Sequence, residues 1–180
     1  LGALIPAELA LVAAFQGEWE ARGILADTIE FKVGSVGQVL VVGDLIPHSF
    51  RRFFEVPHRE PYRELVRAIG SVGAMVKYRT GGMTADRFPG AEDFTRFLMA
   101  VVDENVPFKA TAGLHHPYRG VYPISYAEDA PVQPMFGFVN VLLATAELVR
   151  GGEGETAEAI LLEPDASTIV RGDDGIRWRD

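Results

Sequence analysis

From Arg52 to Arg150 the hydrophobic period of the chain switches regularly between that of a strand and that of a helix, and this alternation most limits the folds open to it. Arg52-Phe53-Phe54-Glu55-Val56 reads as a strand closed by Pro57. Pro61 opens a helix with Tyr62, Leu65, Val66 and Ile69 on one face, stopped by Gly70. A strand over 74–78 and a glycine loop follow. The next helix carries Phe94, Phe97, Leu98, Val101 and Val102 on one face and Asp93, Arg96, Asp103 and Glu104 on the other. A third strand over 106–111 ends near Gly113, and 135–150 reads as an apolar helix ended by Gly151-Gly152. Strand, helix, strand repeated at intervals of roughly 30 residues is the βαβ signature, which implies parallel strands with right-handed crossovers.

The flanks are less regular. A helix is expected over 6–22, with Pro6 in its first turn and Gly23 just past its end. Strand-like runs occupy 28–33 and 38–42, divided by Gly34 and Gly37. We expect a loop over 151–158 and a hairpin of 169–171 with 176–178 around Asp173-Asp174-Gly175. The chain has 180 residues, which suits a single α/β domain over 1–180. A full (β/α)₈ barrel needs about 250 residues. The expected fold is therefore a parallel (β/α) barrel or most of one, TIM-barrel-like and cut from a longer chain or pairing as a homo-oligomer. An open α/β sheet is the alternative.

Composition removes several function classes. There is no cysteine, hence no disulfide, thiolate metal site or cysteine nucleophile. The net charge of −8 and the scattered basic residues argue against a nucleic-acid partner. No apolar run approaches the roughly 20 residues of a membrane span. No basic segment precedes the first apolar stretch, so no signal peptide is expected and a cytoplasmic location is.

Lysine placement is the feature that points to chemistry. The chain has three lysines, Lys32, Lys77 and Lys109, against fourteen arginines, and all three lie in strand contexts between apolar neighbours. Mere tolerance at strand ends in an arginine-rich composition is one explanation. The other is that arginine stays charged, whereas a desolvated lysine can lose its proton and act as a nucleophile. Lys77 and Lys109 are 32 residues apart, one βα unit, so neighbouring strands about 4.8 Å apart would bring their amines together at the carboxyl ends of the sheet. Two such charges disfavour one another, and one pKa is expected to fall. Alternation adds Arg79 and Thr111 to the same faces.

Val76-Lys77-Tyr78-Arg79-Thr80-Gly81-Gly82 and, one helix later, Phe108-Lys109-Ala110-Thr111-Ala112-Gly113-Leu114 resemble the paired lysine strands of the class I aldolases, most nearly the deoxyribose-phosphate aldolase family. The resemblance covers residues 74–114. It implies a barrel in which Lys77 forms a Schiff base and Lys109 tunes it. Arg79 and the His115-His116 pair depart from the family's pattern, and no family aspartate has a counterpart here.

Other groups complete the candidate site. Glu55 ends its strand one unit before Lys77 and suits a general acid–base or a counter-ion, or else a plain salt bridge. His115 and His116 follow the Lys109 strand as candidate proton carriers, and both serve one site only if the loop turns. No spacing among the histidines suggests a metal, and neighbouring lysines would repel a cation, so neither metal nor other cofactor is expected. Thr80-Gly81-Gly82 with Arg79 could cradle an anion through backbone N–H groups or form a simple turn, and Thr111 and Gly113 are further candidate binding residues. Asn140, within an apolar helix, faces either the site or a neighbouring loop, and His48 and His58 beside prolines read as structural. The expected activity is an aldolase-like lyase acting on a small carbonyl or phosphorylated substrate. The alternatives are a non-covalent phosphate- or carboxylate-binding isomerase or lyase, and a non-enzymatic binding or scaffold domain whose lysines pair with Glu30 and Glu55.

Overall fold

The computed structural model describes residues 4–173 and 175–179. The chain divides into two compact units, one running up to Lys77 with Val106–Lys109 added, the other comprising Tyr78–Asn105 and the residues from Ala110 onward.

The first unit opens with helix α1 (Leu4–Trp19), a 3₁₀ turn (Glu20–Arg22) and Gly23, whose left-handed φ of 75° closes the turn as expected. Strand β1 (Thr28–Lys32), helix α2 (Val36–Leu45), strand β2 (Arg51–Glu55) and helix α3 (Tyr62–Ser71) follow, leading into strand β3 (Met75–Arg79). Helix α2 corrects the strand expected over 38–42. A β-branched run resembles a strand in composition, but Ser35 caps a helix there by accepting from the Gln38 amide, while the Gln38 side chain accepts from the Gly34 amide at 2.7 Å. The two side chains thus each satisfy a backbone amide at the start of the helix, Gln38 reaching the residue before the N-cap. Val39, Val42 and Gly43 are then buried at helical spacing, and a Cβ on Gly43 would come within 2.8 Å of Val72. On α3 the stripe of Tyr62, Leu65, Val66 and Ile69 is buried as expected. Full burial of each such side chain is worth about 1.5–3 kcal/mol.

Strands β1, β2, β3 and β4 (Phe108–Thr111) form one parallel sheet in that order. The register sets Lys32 beside Glu55 and Glu55 beside Lys77. The Val76 amide donates to the Pro107 carbonyl at 2.9 Å, which by the same ladder rule sets Lys77 beside Lys109. Period-two alternation then divides the sheet. Phe54 and Val76 lie buried on one face, while Glu30, Lys32, Phe53, Glu55, Lys77 and Lys109 share the other. A closed barrel is not formed among the described residues: β1 and β4 are the ends of the sheet, and the other strands form two separate two-stranded sheets.

The second unit contains helix α4 (Ala91–Asp103), the antiparallel pair β5 (Gly120–Pro123) and β6 (Val132–Met135), helices α5 (Phe138–Val149) and α6 (Gly154–Leu162), and the antiparallel pair β7 (Ile169–Gly172) and β8 (Gly175–Trp178). The last pair is the expected tail hairpin; of its turn, Asp174 lies outside the described residues. Met135 ends β6 instead of opening a helix, which starts three residues later after Gly137. Helix α6 replaces the loop expected over 151–158: its Ala157, Ile160 and Leu161 are buried, and α6 packs on α4 and α5. Tyr78 stacks between Phe94 and Phe97 of α4, with centroids 5.0 and 4.2 Å away, and Phe94 meets Phe136 at 5.2 Å. No helix among the described residues is long and apolar enough to cross a membrane.

Candidate functional site

In the first unit the three lysines converge on two carboxylates. Lys77 Nζ lies 2.6 Å from Glu30 Oε2 and 2.9 Å from Glu55 Oε2. Lys109 donates to the other oxygen of Glu30 and rests 4.0 Å above the Phe53 ring. Lys32 lies 3.7 Å from Glu55 Oε1. Parallel register alone explains the gathering, because it sets Lys32, Glu55 and Lys77 in one row across the sheet. The side chains of Lys77 and Glu55 are only 12% and 10% exposed.

The pairing reverses the expected electrostatics. Burial alone would lower the Lys77 pKa, but hydrogen bonds and attraction from Glu30 and Glu55 outweigh it, and the ammonium is held above the ordinary lysine value. Glu30 is held below the ordinary glutamate value, first by its hydrogen bond from Lys109 and then by that from Lys77. Each amine meets a carboxylate, so mutual repulsion does not set the proton affinity of Lys77. The sequence reading anticipated that the two amines would meet. Pairing of the lysines with Glu30 and Glu55 is what the scaffold alternative expects; that Glu30 takes both Lys77 and Lys109 needs the register as well as the spacing.

The second unit holds a cavity of about 500 Å³ just past the ends of β3 and β4. Arg79, His115 and His116 line it, and its carbon-rich walls include Met83, Phe88, Ile124, Tyr126 and Met135. The loop after β4 does turn as two site histidines would require: Ala112 and Gly113 are both left-handed, with φ of 61° and 70°. The His116 ring stacks on Tyr122, with centroids 3.5 Å apart. Gly82 and Gly113 also line the cavity, whereas Thr80, Gly81, Thr111 and Lys77 and Lys109 do not.

The Thr80-Gly81-Gly82 segment is fitted for close packing. Thr80 is buried; its amide donates to the Thr111 carbonyl at 2.8 Å, and its hydroxyl donates to the Ala112 carbonyl. A Cβ on Gly113 would stand 2.8 Å from the Thr80 carbonyl oxygen, and one on Gly81 would stand 2.9 Å from the Gly113 Cα. These glycines let two backbones touch. The Thr111 hydroxyl is buried with no hydrogen-bond partner.

Asn140 belongs to the packing of α5, with all its partners on backbone. Its Oδ1 accepts from the Arg119 amide at 2.9 Å, and its Nδ2 donates to the carbonyls of Ile160 at 2.8 Å and Glu163 at 2.9 Å. Arg52, which carried no signal in the sequence, is a buried cation held by backbone: it donates to the carbonyls of Gly43 at 3.0 Å and of Val72, where α2 and α3 end, and it meets His48 Nδ1 at 3.0 Å. Burial lowers its pKa from the ordinary arginine value. Among the described residues no three histidines, aspartates or glutamates gather as a metal cluster.

No protein family model matches the chain, and neither a curated protein nor a solved structure shows significant similarity to it.

Proposed function

We propose that this chain binds a small organic anion, a carboxylate or a phosphate ester, without a covalent step, and acts on it as an isomerase or non-covalent lyase. The observation that carries this reading is the meeting of Arg79, His115 and His116 at one cavity, past the carboxyl ends of two parallel strands, where α/β folds place their ligands. Arg79 supplies a fixed cation for the anionic head, and the histidines supply a proton carrier. The sequential β1-β2-β3-β4 order supports assigning the sheet to part of a (β/α) barrel. Titration of the protein with phenylacetate and with phenyl phosphate, followed by the imidazole proton resonances, tests the reading. Both histidines are expected to shift, and Arg79→Gln is expected to weaken binding roughly tenfold to a hundredfold, the worth of a charge-assisted hydrogen bond. Unmoved histidines, or a variant that binds as tightly as the parent, would overturn it.

A second reading keeps the aldolase-like covalent step and draws on the convergence of Lys77 and Lys109 on Glu30. In it Lys77 gives a proton to one of its carboxylates, its free amine attacks a carbonyl carbon, a C=N bond forms and water leaves. Borohydride reduction with candidate aldehydes, read by mass spectrometry, separates the two. An adduct on Lys77 favours the covalent step; anion binding with no adduct favours the first reading. Absence of both leaves the non-enzymatic scaffold.

A further inference from the structure

The lining of the cavity narrows its ligand further. Among the described residues its charged and imidazole groups come from Arg79, His115 and His116. The remaining wall is dominated by thioether, aliphatic and aromatic carbon. Met135 is buried there, whereas Met83 and Tyr126 stand almost wholly exposed, 73% and 105%, at residues that line the same cavity. Large side chains in that position gain most when a ligand covers them, and each of the two suits an aromatic face, since thioether sulfur and phenol both pack well on a ring. A bare phosphate or acetate would use the cationic groups and leave most of about 500 Å³ unfilled. Small-molecule pockets of that volume bury most of a ligand well beyond ionic size.

Resting on the anion-binding reading above, we infer that the natural ligand is an amphipathic anion, a single carboxylate or phosphate head carried on an aryl or comparably bulky apolar body. The head meets Arg79 and the imidazoles. The body lies against Met83, Tyr126 and Phe88. Specificity then comes from the apolar wall, and affinity grows with the carbon the ligand buries.

Calorimetric titration with acetate, phenylacetate and 3-phenylpropionate, and with phenylacetamide as the uncharged isostere of the second, tests this on the parent protein, Tyr126→Ala and Met83→Ala. Affinity is expected to rise at least tenfold from acetate to phenylacetate, and by up to about fourfold for the next methylene. Tyr126→Ala is expected to lose about threefold to tenfold toward phenylacetate and nothing toward acetate, the range of an aromatic pair. Equal affinity for acetate and phenylacetate would overturn the apolar body and leave anion binding standing. Phenylacetamide binding as tightly as phenylacetate would overturn the anionic head while leaving the apolar wall intact. Binding of none of the four probes would overturn both. A thermal transition of Tyr126→Ala that matches the parent's shows that the fold is kept, so lost binding there reads on the ligand contact.

Discussion

The charged row of the first unit and the cavity of the second present cations in opposite settings. In the row each ammonium has a carboxylate within reach: Lys77 has Glu30 and Glu55, Lys109 has Glu30, and Lys32 has Glu55. In the cavity Arg79, His115 and His116 share the lining with thioether, aliphatic and aromatic carbon. A row that supplies its own counter-ions is complete without a ligand. The cavity sets its polar groups against an apolar wall, a setting that suits the proposed amphipathic anion. The comparison teaches that rarity of a residue type marks where charge matters, and that the surrounding charges decide whether it serves structure or binding.

The largest expected effect breaks the row. Glu55→Ala removes one of the two carboxylates of the nearly buried Lys77 and, among the described residues, the one that Lys32 reaches. Leaving a buried charge uncompensated costs about 3–5 kcal/mol, and because Glu30 still holds Lys77 a loss just below that range is expected here, about 2–3 kcal/mol. Urea denaturation would measure it. The double variant Glu55→Leu/Lys77→Met, which withdraws both charges and fills the space with carbon, is expected to recover most of that loss, because no uncompensated charge is left behind. A single variant within 1 kcal/mol of the parent would mean that the row is solvated and stabilises nothing.

The next effect breaks the cavity. Gly113→Ala places a Cβ at 2.8 Å from the Thr80 carbonyl oxygen in a residue whose φ is 70°. The left-handed conformation alone costs a non-glycine residue roughly 1–2 kcal/mol, and the backbone contact leaves no flexible side chain to yield. We expect a loss of about 2 kcal/mol, with phenylacetate affinity reduced because the turn that carries His115 and His116 must shift. Unchanged stability together with unchanged binding would show that the two loops do not need their close approach.

Much of this arrangement was legible before any coordinates. Helices α3 and α4 announce themselves because their buried stripes are long and Pro61 and Gly90 stand at their N-caps; α3 nonetheless runs through Gly70, the expected stop, to Ser71, and the left-handed glycine just past it is Gly73. The meeting of Lys77 and Lys109 follows from one βα unit of separation between parallel strands. Helix α2 was obscured because Val39, Val41 and Val42 favour a strand by composition, and the Ser35 and Gln38 caps that decide for a helix are only two residues. Helix α6 hides behind Gly151, Gly152 and Gly154, and only the buried Ala157, Ile160 and Leu161 argue for it. Glu30 was open to reading as a lysine partner, but that it serves both Lys77 and Lys109 depends on which strand lies beside β1. The apolar wall stayed hidden for a related reason: Ile124, Tyr126 and Met135 reach the cavity through the pairing of β5 with β6, a contact that no local pattern encodes.

The smallest effect sharpens the comparison through pH. Glu30 titrates below its ordinary value of 4.5 in the folded protein, so its pairs stabilise fully above 4.5 and are lost as pH falls through the lowered folded value. Lys77 titrates above its ordinary value of 10.5, so its share is complete below 10.5 and is lost as pH rises through the raised folded value. Between those limits the contribution of the row is flat. Glu30→Gln removes the acid limb that Glu30 supplies, and the difference in urea midpoint between pH 7 and pH 3 should therefore narrow. Because the Glu30 side chain is 39% exposed and solvent screens its pairs, the narrowing should amount to about 1 kcal/mol or less. Gly113→Ala provides the contrast: its added methyl group carries no charge and meets the Thr80 backbone, so the acid limb that Glu30 supplies should remain. Should Glu30→Gln instead leave the pH 7 to pH 3 difference at the parent's value, Glu30 would not be the shared counter-ion of Lys77 and Lys109, and the row would lose the self-sufficiency that sets it apart from the cavity.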